Sequence, residues 1–160
     1  MQHERGGTIN LTGTTRDRAS REIARNCVLT RVRQISRALT AIYDEAMRPF
    51  GIVASQLTLL VLVAEFGPLS RSELARRNQH DRSTLTRNLQ PLIAQGLIAE
   101  DAPGNDGRSR ALSVTNKGNA VLNDAAAAWA TAQKQATALL GQAGTQALMD
   151  IAGGLPLRTS

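Results

Sequence analysis

Aromatic residues make up only 2% of this 160-residue chain. Tyr43, Phe50, Phe66 and Trp129 are the whole set, so the core has to be aliphatic and rich in Ala. Cys27 is the one cysteine, which excludes an intramolecular disulfide. No run of about 18 apolar residues exists, which excludes a spanning helix and a membrane partner. The N-terminus carries no apolar signal core, and that points to the cytoplasm. The two histidines, His3 and His80, have no Cys, Asp or His at ligand spacing, so no metal is expected. There is no nucleophile elbow, phosphate loop or dinucleotide glycine pattern, and no pair of acidic residues lies in an apolar setting. The chain is therefore expected to be no enzyme and to need no cofactor.

Positive charge is what the sequence has in excess. The formal net charge is +6 and the isoelectric point about 10.9, a balance that suits a polyanionic partner. Seventeen of the nineteen cations are Arg, with Lys only at 117 and 134. Arg is the better fork for phosphate and for guanine. A chain of this length forms one domain, or one domain with a helical annex, and needs no metal or disulfide to hold its core.

The stretch from Leu69 to Val114 organises the rest. Ser70 and Glu73 are spaced as a capping box, which predicts a short helix over 71–77. Asn78, Gln79 and His80 form a polar break, and Asp81 caps a second helix that ends at Gly96. Residues 97–100 and 111–114 read as strands flanking a loop rich in Gly, Asp and Arg. Helix, turn, helix and hairpin form a winged helix-turn-helix.

At 100° per residue, Leu85, Leu89, Leu92 and Ile93 of the second helix share one face. Ser83, Thr84, Arg87 and Gln90 lie opposite, flanked by Arg82 and Thr86. That outward face holds hydroxyls, an amide and guanidinium groups, and no carboxylate. A solvated helix face ordinarily mixes both signs of charge. A face of donors at a helix N-terminus instead suits base edges and phosphates of double-stranded DNA. In the hairpin, Arg108 and Arg110 alternate along a strand and so point the same way, within reach of phosphates or a narrow minor groove.

These residues resemble the DNA-binding half of the MarR family of bacterial transcriptional regulators. The resemblance rests on DRSTLTRNL at 81–89, QGLI at 95–98, Asp106-Gly107-Arg108 in the wing and SVTNKG at 113–118. It extends over roughly 21–153. It implies that Arg108 enters the minor groove, that Asp106 orients the wing and that Thr84 sits on the recognition helix. It also makes a small aromatic or phenolic effector plausible, with Arg31 available for its carboxylate. A redox-sensing branch of the family carries a cysteine near here. Matching SRALTAIY at 36–43 puts that position at Leu29 and not at Cys27; one partner tyrosine falls on Tyr43 and the other on Ala54.

Taken in order, residues 1–20 show no helical stripe and are expected to form a mobile arm. A long helix is expected over 21–47, its stripe formed by Val28, Val32, Ile35, Leu39 and Ile42. Ser55 is expected to cap an all-round apolar helix that ends at Gly67. Thr115 is expected to cap an Ala-rich helix to about Leu140, and Thr145 a last short helix through Ile151. Residues 154–160 form a flexible tail. The fold class is therefore mainly α with a small β-hairpin wing: a winged helix-turn-helix region at 54–114, flanked by dimerisation helices at 21–50 and 115–153.

Apolar stripes on the terminal helices exceed what one small core can cover, which predicts a homodimer and a near-palindromic operator. The function expected is that of a sequence-specific regulator, a repressor released by an effector. It would read DNA through Arg82, Ser83, Thr84, Thr86, Arg87 and Gln90, with Asp106, Arg108 and Arg110 in the wing. One alternative is a redox-gated version acting through Cys27, whose thiol lies among Arg21, Arg25 and Arg31. Another is a winged helix that binds protein.

Overall fold

The computed structural model describes the backbone of residues 11–101 and 110–156, with side chains from residue 18 onward. The chain divides into two compact units, one up to Ala38 and one from Leu39.

In the first unit, helix α1 spans Leu11–Asn26 and α2 starts at Val28, continuing to Met47. Two expectations change here. Residues 11–20 of the expected arm are helical, and the single helix expected from Arg21 is interrupted at Cys27. The Arg31 guanidinium accounts for the interruption. It donates to the carbonyls of Ala24 (2.9 Å) and Arg25 (3.1 Å) and to Gln34 Oε1 (2.9 Å). Those two carbonyls are the acceptors that Val28 and Leu29 would use in an unbroken helix. Ile23, Val28, Leu29, Val32 and Ile35 are all exposed on this unit.

The second unit holds the winged helix-turn-helix. A 3₁₀ turn at Arg48–Phe50 leads to α3 (Ala54–Phe66), β1 (Leu69–Ser70), α4 (Arg71–Arg77), α5 (Arg82–Ala94), β2 (Ile98–Glu100), β3 (Ala111–Val114) and α6 (Asn116–Gly153). The sheet is antiparallel in the order β1-β3-β2. Leu69 pairs with Leu112 on one side of β3, and Ile98 with Val114 on the other. Strand β1 was not expected; two residues carry no period, and only pairing with β3 makes them a strand.

The caps explain where the helices start. Ser70 Oγ accepts from the Glu73 amide (3.2 Å) while the Glu73 carboxylate accepts from the Ser70 amide (2.8 Å), the capping box read from the sequence. Thr115 Oγ1 accepts from the Gly118 amide (3.0 Å) at the head of α6. Ser55 does not cap α3. Val53 holds that position, its amide bonded to Gln56 Oε1 (3.0 Å), while Asp44 Oδ1 accepts from the Ala54 amide (2.7 Å). Ser55 Oγ instead donates to Asn88 Oδ1 (3.1 Å), tying α3 to α5. Thr145 likewise caps nothing: its hydroxyl donates to the Gly141 carbonyl (2.9 Å) inside α6. The break in α6 is at Gly141 alone, where φ of 71° reverses the backbone; Gly144 is helical.

The core is aliphatic throughout. Leu59, Leu60 and Val63 of α3, Leu74 of α4, and Leu85, Leu89 and Leu92 of α5 close on Leu97, Ile98, Leu112 and Ala125. Tyr43 of α2 reaches across to donate to Gln133 of α6. No single helix among the described residues is long and apolar enough to cross a membrane.

Candidate nucleic-acid interface

Leu85, Leu89 and Leu92 are buried and Ile93 is half-buried, so α5 is anchored by the face that the 3.6-residue period marks. The opposite face is left to solvent. Arg82, Ser83, Thr86, Arg87, Gln90, Pro91 and Ala94 line one open, shallow surface along it. Arg82, Arg87 and Gln90 are exposed, and their side chains have no partner among the described residues. Five polar side chains and two small apolar ones on a firmly seated helix, with no carboxylate among them, form a surface suited to phosphates and base edges.

Hydroxyls on this helix are not the free donors that the sequence suggests. The Asp81 carboxylate accepts from the Thr84 amide (2.9 Å), from Ser83 Oγ (2.7 Å) and from Thr84 Oγ1 (2.7 Å). Those bonds, the Thr84 amide first, hold its carboxyl well below the usual carboxylate range. Thr86 Oγ1 donates back to the Arg82 carbonyl (2.9 Å). Thr84 is also half-buried, so of the three hydroxyls Ser83 and Thr86 are the exposed ones. The sequence shows the cap in the run D-R-S-T but not the direction of the hydroxyl protons.

The turn before α5 is held by its own side chains. Gln79 adopts φ of 52°, the His80 amide bonds to the Ala75 carbonyl (3.0 Å), and the Asn78 amide nitrogen contacts the His80 ring. Burial lowers the His80 pKa, with Asp81 pulling the other way. At the end of α4, the Arg77 guanidinium stacks 4.3 Å over the Phe66 ring.

A pair that the sequence did not reveal sits at the root of the wing. Arg71 donates to Glu100 through Nε (2.5 Å) and Nη2 (2.9 Å), joining the first residue of α4 to the last of β2. Twenty-nine residues separate the two, so no local pattern betrays them. The Arg71 bonds hold the Glu100 carboxyl below its ordinary value. Arg110 lies 3.8 Å from the same carboxylate with half its side chain exposed. Its charge therefore leans toward Glu100 and is not simply free for DNA. Asp106 and Arg108 lie outside the described residues.

A third constellation explains the motif at 113–118. Thr115 Oγ1 donates to the Gly96 carbonyl (2.7 Å), and Lys117 Nζ to the Gln95 carbonyl (2.8 Å). At Gly118 an added Cβ would lie 2.2 Å from the Leu97 carbonyl oxygen, so only glycine permits this approach. The head of α6 is thereby clasped to the end of α5.

Comparison with known proteins places this geometry. A family model described as MarR family matches residues 50–109. The transcriptional regulator MosR of M. tuberculosis is 33% identical; the match covers 80% of this chain and 92% of that one, with a TM-score of 0.67. The chain belongs to the MarR family. MosR solved in complex with DNA matches over the same shares at 34% identity and a TM-score of 0.69. A MarR-fold structure from Pseudomonas aeruginosa, described as a probable transcriptional regulator, is 25% identical with a TM-score of 0.71 and covers 81% of this chain and 97% of that one. No curated protein sequence matches. This MarR protein is accordingly a DNA-binding transcriptional regulator with a winged-helix fold, and the relatives it matches are described as transcriptional regulators.

Outside the winged helix, Cys27 is half-exposed at the break between α1 and α2. Its thiol pKa is lowered chiefly by a hydrogen bond with Thr30; Arg31 contributes least of the named causes. The surrounding arginines expected to lower it are therefore not the main cause, and Arg21 and Arg25 are not among the causes. Arg31 is engaged with the carbonyls of α1, and so is not free to meet an effector carboxylate without releasing them. Among the described residues no three His, Cys, Asp or Glu side chains cluster to hold a metal.

Proposed function

We propose that the protein binds a near-palindromic operator as a homodimer, placing α5 of each protomer in the major groove and Arg108 of each wing in the minor groove. The carrying observation is the outward face of α5. Arg82, Arg87 and Gln90 stand exposed there, with no side-chain partner among the described residues, on a helix pinned by three buried leucines. Dimerisation is supported by apolar side chains left uncovered in each unit: Val28, Val32 and Ile35 in the first, Leu148, Met149 and Ile151 in the second. A two-fold dimer presents two such helices about one turn of DNA apart, roughly 34–36 Å.

Repression by occupancy, relieved by a small aromatic or phenolic effector, is the regulatory reading that family membership supports. Gating by oxidation is a second reading, favoured by the half-exposed Cys27 thiol and the hydrogen bond that stabilises its thiolate.

The test is the salt dependence of binding by the full-length protein to a duplex selected from a random pool. Each phosphate contact adds about −0.9 to the slope of log affinity against log salt, so a dimer making six or more contacts gives a slope steeper than about −5. A flat dependence, or equal affinity for the selected and a scrambled duplex, would overturn the proposal.

A further inference from the structure

A hydroxyl carries one proton and two lone pairs. Where the proton goes decides what the group can say to a base. On α5 both exposed hydroxyls have already spent theirs: Ser83 on Asp81 at 2.7 Å and Thr86 on the Arg82 carbonyl at 2.9 Å. Asp81 cannot return the favour. Its carboxylate accepts three bonds, two of them from Thr84, and stays ionised, so it has no proton to donate. For Ser83 to donate to a base, it would trade a bond to a charged acceptor for one to a neutral acceptor, and charged partners make the stronger bond.

The arginines beside them have the opposite polarity. A guanidinium is all donor and no acceptor, so Arg82 and Arg87 suit phosphates and the O6 and N7 of guanine. The face thus sets two acceptor-only hydroxyls between two donor-only guanidiniums. In the major groove, the groups that donate are the exocyclic amines, N6 of adenine and N4 of cytosine; guanine and thymine present acceptors there.

We infer that Ser83 and Thr86 read bases as acceptors only, so that the bases beneath them are adenine or cytosine, and that Asp81 imposes this polarity on Ser83. The inference rests on the placement of α5 in the major groove proposed above. Asp81 is in this account a positioning residue: it meets no base itself and acts through the hydroxyl it orients.

The experiment uses the full-length protein and a duplex selected from a random pool. Each adenine is replaced in turn by purine and each cytosine by 2-pyrimidinone, analogues lacking the exocyclic amine. In each half-site one such removal should weaken wild-type binding about fivefold to tenfold yet leave Ser83→Ala indifferent. A second should stand in the same relation to Thr86→Val. Asp81 Oδ1 takes both the Thr84 amide and the Ser83 proton. Asp81→Gly, a cap replacement that costs a helix little, therefore removes the acceptor and frees the hydroxyl proton to turn outward. It should relax the preference at the Ser83 position so that guanine or thymine is accepted as well, and leave the Thr86 position unchanged. A purely structural role for Asp81 would weaken all sequences alike and move no preference, which would overturn its part. The polarity inference fails if the base sensitive to Ser83→Ala is guanine or thymine, or if removing the amines is harmless to the wild type. It also fails if neither hydroxyl variant alters any preference while Arg87→Ala does; the placement of α5 then survives without it. If Arg87→Ala also leaves discrimination between selected and random duplex unchanged, the placement of α5 falls and this inference with it.

Discussion

Two glycines of α6 should respond to the same substitution with opposite signs. At Gly118 a methyl group would sit 2.2 Å from the Leu97 carbonyl oxygen and 2.8 Å from Val114 Cγ2. Real carbon–oxygen contacts need more than 3 Å, so α6 would have to lift off the strand. Lifting it stretches the bonds from Thr115 to Gly96 and from Lys117 to Gln95. Overpacking of this kind costs about 1–3 kcal/mol, and losing a hydrogen bond adds about 1 kcal/mol. The better helix propensity of Ala returns about 0.5–1 kcal/mol. Gly118→Ala should therefore destabilise by about 2 kcal/mol, a fall in Tm of roughly 4–8 °C for a chain of this size. At Gly144 the nearest atom to an added Cβ is Leu140 Cβ at 3.7 Å, an ordinary contact, and the residue is exposed. Gly144→Ala should stabilise by about 0.5–1 kcal/mol from propensity alone. Thermal unfolding of both variants at one fixed protein concentration decides the matter. If Gly118→Ala raises Tm as Gly144→Ala does, the clasp between α5 and α6 is not as described.

Further outcomes follow from other parts of the winged helix. Arg108→Ala should weaken operator binding at least about tenfold, on the order of 1.4 kcal/mol, with unchanged unfolding; full affinity on a mobility-shift titration would remove the wing from the DNA contact. Glu100→Gln should change the pH dependence of stability. The Glu100 pKa is depressed in the fold, so its contribution is present above the unfolded value of about 4.3 and is lost as pH falls below it. The stability gap between wild type and variant should accordingly be widest near neutrality and close in acid, and a gap independent of pH would refute the pairing with Arg71. Leu89→Ala, at a side chain with 0% exposure, should cost about 2–5 kcal/mol in urea titration; a loss under 1 kcal/mol would mean that α5 is not seated on the core.

What could be read from the sequence was whatever is settled within a few residues. The capping box at Ser70 and Glu73, the Asp81 and Thr115 caps and the leucine stripe of α5 all depend on neighbours in the chain, and the structure has each of them. Ser55 and Thr145 misled because a hydroxyl before an apolar run signals a cap, yet each found another acceptor: Asn88 for one, the Gly141 carbonyl for the other. Strand β1 and the Arg71–Glu100 pair were illegible because both are made by segments far apart in the chain. Helix α1 escaped because Gly13 and the surrounding threonines hide any stripe. Part of it is held instead by polar bonds along its own surface, such as Asn26 to Glu22 (2.6 Å). The outward residues of α5 were found by position, while the direction in which their hydroxyls bond needed Asp81 to be seen in place.

Because the carbonyls of Gln95 and Gly96 are gripped by Lys117 and Thr115, the joint between α5 and α6 has no slack. The two bonds couple the helices at residues 95–97, so a tilt of one would be passed to the other there. The thirteen residues of α5 make an arm about 20 Å long at 1.5 Å each. A rotation of about 10° at the joint would carry its far end, where Asp81 and Ser83 sit, through roughly 3 Å, about one hydrogen-bond length. A small tilt in the long helix that carried α5 with it would thus reach the tip of the short one magnified.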